Sequence, residues 1–318
     1  MEQARFAEAR EFLARYLPRT RLVAARSLQK DRKQKVFLKL ESELPTGSFK
    51  VRGALYALHV NLQRHSIREV VASSTGNHGA AVAYAATELG VRARIFLPEN
   101  CNPVKKSNIE RLGAEIVEKG AIDLAGAFEA AADYARKSGA FFLNDADDPD
   151  LPAGPGTIAC EILQSAPEVD SIYVPMGDTA LIRGVAESAR QISGKVRVVG
   201  VQSERAPSYA LSWKAGKAVG TETCDTIADG LATRTPLSAN VEAIRRLVDD
   251  VVLVSEAEML RAIRQLALNE HVVAEPAGAA ATAAFLKSSS NANASVALLV
   301  TGANVSSEVF RAAIGVAT

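Results

Sequence analysis

A lysine at the junction of a strand pattern and a helix pattern is the first residue here whose type and position suit covalent chemistry. The apolar run 36–40 predicts a strand, and Val51 and Leu55 share one face of a helix that begins beside Lys50. We expect Ser48 to cap this helix, and the free amide groups of its first turn favour the neutral amine of Lys50. A neutral lysine can form a Schiff base with an aldehyde, and a merely solvated lysine is the alternative.

A second candidate site is a turn that can bind an anion. Residues 177–181 directly follow an apolar strand pattern and directly precede a helix pattern. Backbone N–H groups in such a turn point at one place, and the helix dipole adds attraction for a phosphate. The alternative is an ordinary connection. Free nucleotides fit less well, because no GxGxxG follows a strand and no GxxxxGK[ST] occurs.

Hydroxyl and amide groups gather at the start of another predicted helix. Ser74, Thr75, Gly76, Asn77 and His78 lie between a strand pattern and an amphipathic helix pattern. Hydroxyls and N–H groups at a helix start suit a carboxylate. The histidine is expected to order this loop rather than to transfer a proton.

Four segments carry a resemblance to a known family. They are residues 41–53, 73–79, 174–181 and 299–304. In order and approximate spacing they resemble the threonine dehydratase and serine racemase group of fold-type II pyridoxal-phosphate enzymes, and the resemblance covers nearly the whole chain. It implies pyridoxal 5'-phosphate as the cofactor and a small-molecule amino acid as the substrate.

The resemblance also implies which residues meet the cofactor ring. Lys50 would hold the aldehyde carbon, Asn77 would bind the ring oxygen, and Phe49 and Gly230 would flank the ring. Thr301 would face the pyridine nitrogen. Because a hydroxyl shares only a neutral hydrogen bond with that nitrogen, the ring is expected to be a weaker electron sink, which favours prompt elimination.

The family's phosphate-binding turn usually contains three or four consecutive glycines. This chain keeps Gly177 and continues with Asp178, Thr179, Ala180 and Leu181. We expect the threonine to contribute its hydroxyl. The aspartate is expected to point away from the phosphate, since two negative charges at close range repel each other.

Lys50 and Thr75 are the expected catalytic residues. The resemblance implies that Lys50 removes the α-proton, and Thr75 replaces the serine that racemases use on the opposite face. The predicted function is elimination of water from a β-hydroxy amino acid, serine or threonine by default, to give a 2-oxo acid and ammonia. Racemisation, β-replacement, dehydration of a bulkier β-hydroxy amino acid and a non-catalytic amino-acid-binding or regulatory role remain open.

Two further segments bear on ligands. Family members that bind a divalent ion present Glu and Asp where this chain has Gln202 and Ser208, so no metal site is predicted. The acidic run 145–150 lacks the glycine and glutamate of an EF-hand, and we expect a solvated loop. The resemblance places residues 144–147 near the substrate side chain.

Apolar strand patterns alternate with amphipathic helix patterns along most of the chain. This alternation predicts an α/β protein whose parallel sheets are covered on both faces. The resemblance implies two α/β domains of the tryptophan synthase β type. The small domain is placed at residues 46–146, inserted into a large cofactor-binding domain of residues 1–45 plus 147–318.

Composition excludes several classes of protein. The 318 residues are 48% hydrophobic, and the formal net charge of +1 gives no basic face for nucleic acid. Three scattered cysteines without a CxxC argue for a reducing compartment. No apolar run reaches membrane-spanning length and no signal-peptide profile opens the chain, so a cytoplasmic protein is expected. The resemblance implies a homodimer.

Overall fold

A computed structural model describes most of the chain. The described residues are 2–29, 34–74, 76–99, 101, 103–118, 124–288 and 294–315. Within these ranges, no helix combines the length and the apolar character that crossing a membrane requires.

Strands and helices alternate through the described residues. The strands are β1 Leu22–Ala24, β2 Lys35–Leu40, β3 Glu69–Ser73, β4 Arg92–Phe96, β5 Glu115–Val117, β6 Phe141–Phe142, β7 Ser171–Pro175, β8 Arg197–Ser203, β9 Asp250–Val254 and β10 Ser295–Val300. The α-helices are α1 Glu2–Leu13, α2 Lys50–Arg64, α3 Asn77–Glu88, α4 Pro103–Arg111, α5 Leu124–Ser138, α6 Ala153–Ser165, α7 Ala180–Ile192, α8 Ser208–Ala215, α9 Ser238–Leu247, α10 Glu256–Asn269, α11 Pro276–Lys287 and α12 Ser307–Ile314.

The strands form two sheets. A six-stranded sheet has the order β1-β2-β10-β7-β8-β9, and a four-stranded sheet has the order β5-β4-β3-β6. All neighbouring strands run parallel except β1 and β2, which are antiparallel. The predicted α/β fold with two parallel sheets is therefore confirmed, with one antiparallel edge strand that the sequence patterns do not reveal.

The four-stranded sheet interrupts the larger sheet in the sequence. Its strands run from Glu69 to Phe142, between β2 and β7. They fall within the predicted inserted domain at residues 46–146, and those two boundaries stay a prediction. The arrangement brings loops from both sheets to the carboxyl ends of their strands, where α/β folds place ligand sites.

Strand β10 shows why the large sheet has near-continuous apolar strands. Val296, Leu298 and Val300 point into a core cluster on one face, shared with α10 and α11. Ala297 and Leu299 point into a second cluster on the other face, shared with α6 and α7. Because side chains alternate between faces and both faces are covered, every position of this strand is buried.

A buried ion cluster joins the end of β2 to α2 and α6. Arg52 donates from Nε to Glu41 Oε2 at 2.7 Å and from Nη1 to Glu161 Oε1 at 2.6 Å. Lys39 also contacts Glu161 and the hydroxyl of Thr20. Burial lowers the pKa of Lys39. Burial also acts to lower the pKa of Arg52, but the carboxylates of Glu41 and Glu161 outweigh it, so the pKa of Arg52 is raised. The cluster fixes where α2 begins.

Helix α6 is the largest element that sequence patterns do not reveal. It begins with Ala153 and includes Gly154, Pro155 and Gly156, residues that usually interrupt helices. A Cβ on Gly154 would overlap the carbonyl oxygen of Arg52. The glycine thus lets α6 approach the backbone of α2 next to the ion cluster.

The ion cluster yields a stability prediction. Replacing Glu161 by Gln leaves buried positive charge without its partner, so the free energy of unfolding should fall by about 3 kcal/mol in urea denaturation. Glu168→Gln is the matched control. Glu168 pairs at 2.9 Å with Lys35, which is on β2 like Lys39, but this pair lies at the surface. That change should cost less than about 1 kcal/mol. Equal losses in the two variants would contradict the role given to the cluster.

Candidate active site

Lys50 is the first residue of α2, and the backbone before it is tied to the last strand. Ser48 forms a bridge with Gly302, and the N–H of Phe49 donates to Thr301 O at 3.0 Å. Phe49 is the N-cap residue, and no side chain caps the helix among the residues described. The predicted Ser48 cap is therefore wrong, since its hydroxyl is buried without a hydrogen-bond partner in this part of the structure.

The Lys50 amine contacts the carboxylate of Asp145. Burial lowers the pKa of Lys50, but the charge and hydrogen bond of Asp145 outweigh it, and the charges of Asp178 and Glu275 add to the same effect. The net pKa is raised. The expectation that the helix start keeps this amine neutral is therefore wrong, because the amine lies beside an ionised carboxylate.

The acidic run after β6 is not a solvated loop at all positions. Burial raises the pKa of Asp145, but His78 and Lys50 outweigh burial and hold it well below its usual range. Asp148 is buried and accepts from the N–H groups of Asp150 and Leu151 at 2.9 and 3.0 Å. The predicted exposure is thus wrong for Asp145 and Asp148, which point into the protein.

The turn between β7 and α7 has the shape of an anion site. A Cβ on Gly177 would overlap the carbonyl oxygen of Gly230, so the two backbones meet there. Thr179 adopts the left-handed conformation at φ 70° and its buried hydroxyl has no hydrogen-bond partner within the described ranges. Ala180 and Leu181 are buried at the start of α7, whose first-turn N–H groups lack acceptors inside the helix.

Asp178 of this turn faces the loop that carries Asp145. Its Oδ1 accepts from the Thr233 hydroxyl at 3.1 Å. The Asn240 amide donates to Ala146 O at 2.8 Å and lies 3.4 Å from Asp178 O, which ties the two loops together. Burial, followed by the charge of Asp145, raises the pKa of Asp178 to about 6.

The loop predicted to bind the substrate's carboxylate, residues 74–78, lies beside Asp145. Thr75 lies outside the described residues. Ser74 accepts from the N–H of Gly76 at 3.2 Å, at the start of α3. His78 Nε2 lies 2.9 Å from Leu143 O, which ties the start of α3 to the residue that follows β6. That the histidine orders its own loop stays a prediction.

Asn77 links α3 to the large sheet. Its amide nitrogen donates to Glu275 Oε1 at 2.7 Å, and its oxygen accepts from the Asn304 amide at 2.7 Å. A second N–H of the Asn77 amide remains to bind another group. Sequence reasoning missed Glu275, whose available signal is an acidic residue directly before Pro276, the first residue of α11.

These residues fit a pyridoxal-phosphate group. The Lys50 amine can meet an aldehyde, the unpartnered hydroxyl of Thr179 at a helix start suits a phosphate, and the second N–H of Asn77 suits a ring oxygen. Thr301 is buried at the end of β10, beside the start of α2. A lysine, an anion turn and polar groups for a ring thus occur in one region between the two sheets.

Comparison with known proteins identifies the family. A family model for pyridoxal-phosphate dependent enzymes matches residues 13–302. The chain belongs to this family. The predicted resemblance and cofactor are thereby confirmed, and the chain is an enzyme of the pyridoxal-phosphate-dependent group.

Individual relatives agree with the family assignment. The chain is 36% identical over 298 residues to an L-threonine ammonia-lyase of Thermotoga maritima, covering 94% of this chain and 74% of that protein. It is 34% identical over 279 residues to a catabolic L-threonine dehydratase of Escherichia coli K12, covering 88% and 84%. The maize serine racemase structure superimposes with a TM-score of 0.91 at 29% identity, covering 98% and 96%.

Gln202 and Ser208, the positions where some family members bind a divalent ion, form hydrogen bonds within the protein. Gln202 Oε1 accepts from Ala210 N at 2.9 Å, and the Ser208 hydroxyl donates to Thr233 O at 2.5 Å. In the described residues, no group of three or more His, Cys, Asp or Glu is placed to hold a metal. The absence of a divalent ion stays a prediction.

The raised pKa of Asp178 predicts a pH-dependent stability. Because the folded pKa of about 6 exceeds the ordinary 3.8, ionisation destabilises the fold, and stability is lost as pH rises between these values. Asp178→Asn removes this loss. In cofactor-free protein the variant should gain up to roughly 3 kcal/mol over the parent above pH 7 and almost nothing near pH 4.

The gain is measured as the free energy of unfolding at each pH. Asp147→Asn is the control, because Asp147 is exposed on the neighbouring loop. A gain for Asp178→Asn that does not depend on pH would contradict a buried ionising group.

The close backbone contact at Gly177 predicts that a larger residue there weakens both stability and cofactor binding. Gly177→Ala places a methyl group against the Gly230 carbonyl, so two backbone segments must separate. We expect a lower melting temperature and a cofactor that dissociates at least tenfold more readily, measured by absorbance after dialysis. Gly194→Ala should change neither, since a Cβ there meets nothing within 4 Å.

Proposed function

We propose that this enzyme is an ammonia-lyase that eliminates water from a β-hydroxy amino acid to give a 2-oxo acid and ammonia. The observation that carries the proposal is the position of the Lys50 amine, which lies at the start of α2 among buried carboxyl groups. Relatives named L-threonine ammonia-lyase and L-threonine dehydratase support the reaction and the serine or threonine type of substrate.

In this proposal, different residues of the chain would bind different parts of the cofactor. Lys50 would bind the aldehyde, and Thr179 with the first turn of α7 would bind the phosphate. The Asn77 amide would bind the ring oxygen, and the Thr301 hydroxyl would meet the ring nitrogen. Phe49 lies beside the amine, with Lys50 Nζ 5.6 Å from its ring centre. When bound, pyridoxal phosphate withdraws electrons from the α-carbon of an amino acid.

The proposed role of Lys50 Nζ is to remove the substrate's α-proton, which requires a neutral amine. Asp145 opposes this role, because its contact raises the pKa of Lys50. The carboxylate must therefore separate from the amine during turnover, and His78 Nδ1 remains 3.8 Å from Asp145 Oδ2. The loop of Ser74, Thr75, Gly76, Asn77 and His78 would bind the substrate's carboxylate at the start of α3.

The proposal includes a cytoplasmic homodimer. No disulfide joins Cys101, Cys160 or Cys224 in the described structure, which agrees with a reducing compartment. The dimer follows from resemblance to the family. Light scattering on the purified protein measures its mass against the 33.7 kDa of one chain.

Replacing Lys50 tests the proposed function. Lys50→Ala and Lys50→Arg should each remove the absorbance of lysine-bound cofactor and reduce ammonia release from serine and threonine at least a thousandfold. The arginine variant keeps a cation beside Asp145, so its loss of activity cannot come from an unpaired buried carboxylate. Lys217→Ala, at an exposed lysine, should change neither measurement. Normal turnover in Lys50→Arg would refute the assignment.

A further inference from the structure

Residues 144–148, between β6 and α6, form a loop that carries Asp145, and we call it the connecting loop. Hydrogen bonds fix both of its ends. The N–H of Leu143, directly before the loop, donates to Val71 O at 2.9 Å. Asp148, its last residue, accepts from two N–H groups of the following turn at 2.9 and 3.0 Å. Because Asp145 lies between these ends, its place depends on what binds the middle of the loop.

A side chain from the large-sheet part of the chain binds the middle of the connecting loop. Asn240, the third residue of α9, is only 3% exposed, and its Nδ2 donates to Ala146 O at 2.8 Å. The same nitrogen lies 3.2 Å from Tyr209 Oη and 3.4 Å from Asp178 O. Helix α9 belongs to the same core cluster as α6 and α7, so packing of the large sheet places Asn240.

The contact of Asn240 with the loop can open without stranding a buried donor. The amide has two N–H groups, and three oxygen atoms lie within its reach, on Ala146, Tyr209 and Asp178. When the loop moves away, both N–H groups still have acceptors in Tyr209 and Asp178. Since a buried donor without an acceptor is costly, this surplus of acceptors favours a contact that can form and release.

The connecting loop decides how much negative charge faces the Lys50 amine. Asp145 contacts the amine directly. Burial lowers the pKa of Lys50, whereas three carboxyl groups raise it, Asp145 most strongly and then Asp178 and Glu275. Burial by itself favours the neutral amine. The amine therefore stays protonated because Asp145 is held beside it.

Two further charged or titratable groups face this arrangement from other elements. His78 on α3 has its Nδ1 3.8 Å from Asp145 Oδ2, and Arg183 on α7 acts on Asp178. Neither side chain forms a hydrogen bond with the Asn240 amide in the described structure. Loss of the Asn240 contact with the loop therefore removes no hydrogen bond from either of them.

We propose that Asn240 is a positioning residue whose hydrogen bond to Ala146 holds the Asp145 carboxylate against the Lys50 amine, and whose release lets the carboxylate move away. Asn240 touches neither reacting group and acts through the connecting loop. The inference goes beyond the proposed function, because it concerns the charge of the amine with any substrate or with none.

The charge of the Lys50 amine can be measured in the cofactor-free chain. Trace acetylation with acetic anhydride at a series of pH values, followed by mass spectrometry of the peptide that contains Lys50, gives the pH at which the amine becomes reactive, because only the neutral amine attacks. Asn240→Ala should lower this midpoint by about one pH unit, since an opposite charge in contact shifts a pKa by at least that much. An unchanged or higher midpoint would overturn the inference.

Asn61→Ala is the matched control. Asn61 is also a buried asparagine whose Nδ2 donates to a backbone carbonyl, Ala57 O at 2.9 Å, but this contact lies within α2 and away from the connecting loop. The control variant should lose stability and keep the midpoint of Lys50. An equal fall of the midpoint in Asn61→Ala would mean that general loosening causes it, which would contradict a specific role of Asn240.

A double variant tests whether Asn240 acts through Asp145. Asp145→Asn should lower the midpoint of Lys50, and Asn240→Ala added to it should lower the midpoint no further, because both changes remove the same charge from the amine. Two additive shifts would overturn the route through Asp145. If Asn240→Ala does not fold, Asn240→Ser, whose side chain is too short for the contact with Ala146, should give the same fall.

The measurement also separates this inference from the proposed reaction, since ammonia release plays no part in it. An unchanged midpoint in a protein that releases ammonia from serine or threonine would refute the positioning role and support the lyase. The expected fall in a protein that releases no ammonia would support the positioning role and refute the lyase.

Discussion

The buried ion cluster around Arg52 is the constraint on which the site depends. Two cations and two carboxylates, Lys39, Arg52, Glu41 and Glu161, lie in the interior with the Thr20 hydroxyl between them. Such groups are tolerated only when each charge keeps its partners in good geometry, so the cluster allows one arrangement of β2, α2 and α6. Because Lys50 precedes Arg52 by two residues, its amine is placed by the same contacts.

The phosphate turn shows how a chain with few glycines forms a close backbone approach. Gly177 is the position where the backbone of Gly230 leaves no room for a Cβ, and there glycine is kept. The left-handed conformation falls two residues later on Thr179, at a cost of about 1–2 kcal/mol for a residue with a Cβ. Burial of that residue holds it in place, and its hydroxyl stays available for an anion.

The sequence predicts well those features that short segments contain. Lys50 and the turn at 177–181 follow directly from strand and helix patterns with a few polar residues between them. The pair of Lys50 with Asp145 joins residues 95 positions apart, and no local pattern distinguishes this aspartate from its exposed neighbours. For the same reason no local pattern reveals helix α6, since Gly154 is required by the backbone of α2, and Gly156 by Phe6 and the backbone of Gly184, rather than by a turn.

The backbone of Lys50 and the carboxylate that contacts its amine are held in place by different parts of the structure. Its backbone is held from behind by the ion cluster, whereas Asp145 stands on a separate loop that Asn240 and His78 support. The loop shares no hydrogen bond with the cluster among the described residues. Substitutions in this loop can therefore change what faces the Lys50 amine without altering the contacts that position its backbone, so the two parts of the site are mechanically independent.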